Sequence, residues 1–142
     1  MTRRCSRRVA ALLASLALAG CFGGTHINPD ERDVVVPGLN LTFQPAGVVV
    51  LDGLYESVDI QGDTALSWRK IYYLFSPNGS YTAAALGSSD SGPAFTTLTG
   101  TWQCDARGLS LDDSEPLQLD AAPGHLRLSA AGSAIVLAQR QL

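Results

Sequence analysis

Residues 34–142 predict an all-β domain, an antiparallel meander of about eight strands closing into a small barrel. Three observations carry that expectation. From Val34 onward no window keeps helical spacing over the roughly ten residues that a confident helix needs. Short β-rich runs recur instead, separated by turn signals at Pro77-Asn78-Gly79, Asp105-Ala106-Arg107-Gly108, Pro123-Gly124 and Ala131-Gly132-Ser133. Along the later runs Leu109 with Leu111, Leu117 with Leu119, Leu126 with Leu128 and Ile135 with Leu137 alternate with small or polar residues, so one face is core and the other faces water. A sheet of that size leaves two exposed edges, and closure removes them.

The runs Val34–Val36, Leu39–Phe43 and Val48–Leu51 open the domain, and Leu54–Ile60 and Leu66–Phe75 follow. The clearest local signal lies between Ile71 and Ala83. Pro77 presets a negative φ and Asn78-Gly79 tolerates a positive one, so Leu66–Phe75 and Ser80–Leu86 pair across a tight turn. Gly87-Ser88-Ser89-Asp90-Ser91-Gly92 has the composition of a flexible loop. Phe95–Cys104, Leu109–Leu111, Leu117–Leu119, His125–Leu128 and Ala134–Gln139 complete the set. Cys104 has the parity of Trp102, which predicts a buried thiol, and no basic neighbour stands beside it to activate it.

Tyr73-Leu74-Phe75-Ser76-Pro77-Asn78-Gly79-Ser80-Tyr81-Thr82, then Gly100-Thr101-Trp102 and Leu109-Ser110-Leu111, resemble small bacterial lipocalin-like domains. The shared theme is an aromatic strand, an Asn-Gly turn into a Tyr-Thr strand, and a Gly-x-Trp strand turning into Leu-x-Leu. The resemblance implies a barrel and places Tyr55 at its floor. Tyr55, Trp68, Tyr73, Phe75, Tyr81 and Trp102 then form the core and its cross-strand pairs, or line a pocket if the barrel holds one.

The start of the chain reads differently. Arg3, Arg4, Arg7 and Arg8 precede the apolar run Val9–Ala19, too short to span a bilayer and suited to a secretory signal. Leu18-Ala19-Gly20-Cys21 resembles the lipobox of bacterial lipoproteins. That resemblance implies cleavage between Gly20 and Cys21, lipidation of the Cys21 sulfur, and membrane attachment by several acyl chains. Phe22, rather than Asp, follows the cysteine, which by the same resemblance implies the outer membrane, with the domain facing the periplasm. Residues 1–20 are therefore read as signal, 21–33 as lipidated cysteine and tether, and 34–142 as the barrel domain.

Of ten basic residues, four leave with the signal; the remaining six face thirteen acids, a net charge of −7. Such a domain is unsuited to nucleic acid and to anionic headgroups, both of which demand basic surface. No nucleophile relay can be assembled, because His26 lies in the tether and His125 beside a turn. No cofactor or metal motif is present: His26 with Asp30, Glu31 and Asp33 fits no ligand spacing, and Asp112-Asp113-Ser114-Glu115 lacks the pattern of a calcium loop. Arg69 and Lys70, being adjacent, are expected on opposite faces of their strand and so in no common anion pocket. The expected role is binding without catalysis: a small apolar or envelope-derived ligand inside the barrel, or an envelope protein at the loops of a solid one.

Overall fold

The computed structural model describes residues 40–142. The expected signal with its cleavage position Gly20, the expected lipidation position Cys21, the expected tether and the run Val34–Val36 lie outside them. Nine strands form one antiparallel sheet: β1 (Gln44–Pro45), β2 (Gly53–Gln61), β3 (Trp68–Phe75), β4 (Ser80–Ser89), β5 (Gly92–Asp105), β6 (Gly108–Leu111), β7 (Gln118–Ala122), β8 (His125–Ala130) and β9 (Ser133–Arg140). A single helical turn, α1 (Thr64–Ser67), joins β2 to β3.

The meander is barrel-like because its two ends meet. From β2 onward nearly every strand pairs with the next, and β9 returns to β2 over Leu54↔Arg140 to Gln61↔Ala134. The seam is between β6 and β7, where Leu109 and Leu117 exchange N–H···O bonds of 2.9 and 2.8 Å. The adjoining stretch of β7 is taken by β1, through Gln44↔Ala121 and Pro45↔Asp120.

Inward parity places Tyr55, Ile71, Tyr73, Phe75, Tyr81, Trp102, Leu109, Leu111, Leu119, Leu128, Ile135 and Leu137 in one buried core. Burial of that apolar surface is the main force holding the sheet curled.

Several expectations are corrected. Residues 40–43 and Val48–Leu51 are not strands; this segment pairs with β7 only at Gln44–Pro45 and packs Ala46, Val49 and Leu51 against the core. Its Phe43 covers Val136 on the outer face, so β9 is buried on both faces despite an alternation that predicts one. The Gly87–Gly92 stretch is no flexible loop, since β4 runs on to Ser89, which pairs with Gly92 across a tight turn. Cys104 shares the side of Trp102 as expected but is only half-buried, its Sγ 3.3 Å from the Gly47 carbonyl oxygen.

Candidate functional site

The six aromatic residues singled out in the sequence do not all meet. Five do, with Phe75 at the centre: its ring stacks on Tyr73 at 5.4 Å and lies edge-on to Tyr55 at 5.9 Å and to Trp102 at 6.0 Å, with Tyr81 at 6.3 Å. The β3–β4 hairpin positions them, because Phe75↔Tyr81 and Tyr73↔Ala83 are opposed pairs on the inward face. Trp102 locks this end, its indole N–H donating to the Ser76 carbonyl oxygen at 2.9 Å and its backbone N–H to that of Gly79 at 2.8 Å.

Below the rings, Asp112 reaches over the end of β5. Its carboxylate accepts from the Tyr81 hydroxyl and from the Thr101 N–H, each at 2.8 Å. A Cβ at Gly100 would sit 2.0 Å from the Asp112 Oδ1, so this closure requires a glycine there. It also holds Asp112 and Asp113 at φ of 52° and 59°, a region that side chains other than glycine seldom occupy. Burial pushes the Tyr73 hydroxyl up to about 12. Burial, then the hydrogen bond to Asp112, raises Tyr81 as well. Burial and the nearby Asp52 raise Tyr55.

Among the described residues the inward side chains pack closely around these rings. Beside Tyr73, Leu117, Leu128 and Ile135 the side chains leave a void of ≈ 10 Å³, about the room of one water molecule.

Trp68, the sixth aromatic, lies at the opposite rim. Its ring would be 3.0 Å from a Cβ at Gly87, so the glycine gives the indole its place over the barrel mouth. Beside it a cleft of ≈ 470 Å³ opens to solvent between α1, β2 and β3. Leu66, Ile60 and Trp68 form its apolar side; Ser57, Asp59, Arg69, Lys70 and Ser88 form its polar side. Two register shifts converge here, at Ser57/Asp59 in the β2–β9 pairing and at Trp68/Lys70 in the β3–β4 pairing. The second corrects the expectation for Arg69 and Lys70: strict alternation fails at the shift, and both line one cleft. Sequence parity cannot see a bulge, which is why this site was missed.

The charges around the cleft are unequally satisfied. Lys70 is bonded to the Glu56 carboxylate and, at 2.8 Å, to the Ser57 carbonyl oxygen. Arg140 holds the other Glu56 oxygen at 2.6 Å, and hydrogen bonds from Lys70 and then Arg140 keep Glu56 below the usual carboxylate range. Asp59 accepts from Gln61 at 2.6 Å. Arg69 donates only through Nε, to Ser88 Oγ at 2.8 Å.

A third feature is the outer face of β3, β4 and β5. Tyr72, Ala84 and Thr97 share this side, as do Leu86 with Phe95 and Leu74 with Thr82 and Thr99. Phe95 is 65% exposed and Leu74 39%. The chain matches no family model, no curated protein and no solved structure.

Proposed function

We propose that this chain is a cell-envelope lipoprotein, held by lipidated Cys21 on the outer membrane and facing the periplasm. In this reading its domain binds another envelope protein through the outer face of β3–β5 and performs no chemistry. The lipobox Leu18-Ala19-Gly20-Cys21 behind a basic, apolar leader supports the anchor. The observation that supports the binding mode is the packed aromatic cluster: stacked and edge-on rings occupy the inner side of the curled sheet, with only a small void beside Tyr73, which favours recognition outside it.

The β3–β5 face suits a protein surface. Lys70, opposite Leu86 in the row of Phe95 and paired with Glu56, bounds it on one side; beyond that row the outward residues from Tyr72 to Thr97 and from Leu74 to Thr99 are uncharged, and Phe95 is a large exposed ring beside hydroxyl-bearing threonines. Aromatic anchors ringed by small polar groups are typical of protein contacts. The excess of acids makes a lipid surface the poorer occupant.

The test places a photo-crosslinking amino acid at position 95 of the full chain in living cells, with position 131, an exposed turn, as control. A crosslinked protein at 95, absent at 131 and lost when Thr97→Lys charges the face, is the expected result. Equal capture at both positions, or capture insensitive to Thr97→Lys, contradicts the proposal.

A further inference from the structure

We propose that the rim cleft binds a small amphipathic oxyanion, a phosphate or carboxylate carried on an apolar body, with Arg69 as its counter-ion. This goes beyond the protein-binding face and does not depend on it.

Charge pairing is the first argument. Among the described residues there are five cations, and Lys70, Arg107, Arg127 and Arg140 are each paired with a carboxylate. Arg69 is the exception, in a domain with acids to spare. Its Nε is held by Ser88, which orients the guanidinium, and its Nη groups have no acceptor among the described residues. A planar fork held in that way presents parallel donors to a phosphate or carboxylate.

Shape is the second. The cleft volume of ≈ 470 Å³ is on the scale of small-molecule sites. Bulges often re-aim side chains at such places, and here two of them do so at one rim. Leu66, 81% exposed on α1, faces the same opening with Ile60 and Trp68, so an apolar body has a wall to cover beside the cation. Asp59 lines the cleft too and opposes an anion; its bond from Gln61 offsets part of that charge.

The chemistry is the same whether the oxyanion is a soluble ester or a lipid headgroup, and the experiment separates the two. The full chain, in non-ionic detergent micelles, is titrated with phenyl phosphate, inorganic phosphate and benzyl alcohol while the Trp68 indole and Arg69 Nε–H resonances are followed. A parallel series dopes the micelles with phosphatidic acid.

Phenyl phosphate is expected to shift both resonances saturably, and to bind about tenfold more tightly than either fragment. Arg69→Gln should weaken it by about tenfold and Asp59→Asn should tighten it. The same shifts on doping with phosphatidic acid assign the site to a headgroup; shifts with phenyl phosphate alone assign it to a soluble ester. Arg69 is exposed and bonded only to Ser88, so the variant keeps its fold, which its amide spectrum verifies. No shift at Trp68 in any series, binding of inorganic phosphate as tight as that of phenyl phosphate, or undiminished binding by the Arg69→Gln variant overturns the proposal.

Discussion

On β7, β8 and β9 the outward residues Asp120, Arg127 and Val136 are as shielded as the core, whereas on β5 the outward residues Phe95, Thr97 and Thr99 stand in water. Both faces belong to one sheet with the same alternation. The difference comes from the segment before β2, whose Phe43 lies over Val136 and 5.2 Å from the Arg127 guanidinium. Under that cover Arg127 grips Asp120 at 2.7 Å, and Gln118 adds a third donor at 3.1 Å. A covered face can keep ions because each is paired and hydrogen-bonded. The uncovered face keeps threonines and a solitary phenylalanine, groups that tolerate water and can also leave it.

The largest expected effect breaks the covered face from within. Asp120→Ala removes the carboxylate that Arg127 grips in the covered layer and should cost about 3 kcal/mol in urea unfolding. Removing the cover comes next: Phe43→Ala opens the small cluster with Val136 and should cost about 3 kcal/mol, with faster hydrogen exchange along β8 and β9.

A smaller effect lies on the boundary, since Glu56 on β2 joins Lys70 of β3 to Arg140 of β9. Its ionised form is favoured by folding, so its contribution is complete above about pH 5, beyond the unfolded value, and is lost as pH falls through its depressed folded value. Glu56→Gln should therefore lose less stability than the native chain between about pH 5 and pH 3, measured by urea midpoints. The smallest effect sharpens the contrast: Phe95→Ser should change stability by less than about 0.5 kcal/mol while abolishing crosslinking from a photo-reactive residue placed at position 99 of the same face.

Strands of both halves are legible in the sequence. Asn78-Gly79 identifies the β3–β4 hairpin, and alternating leucines identify β6 to β9, because turn chemistry and period-two patterning are local. The aromatic residues are legible as core and cross-strand pairs, but that five of the six meet around Phe75 and Trp68 stands apart follows from strand register. The covering segment was misread as strands: Val48, Val49 and Val50 have strand composition, yet Val48 and Val50 are more than 70% exposed while Leu51 is buried. Neither the Asp120–Arg127 pair nor the rim cleft has a local signature. The first needs β7 beside β8, and the second needs two bulges brought together.

The central claim is that the barrel interior is filled and that recognition lies outside it. Native mass spectrometry of the full chain, expressed with its leader and extracted from membranes in non-ionic detergent, tests this most directly, with the Arg69→Gln variant run alongside. The account predicts the mass of the chain from Cys21 with its acyl groups, and no apolar adduct in the variant. A discrete apolar molecule that persists in Arg69→Gln and leaves only on denaturation would contradict it.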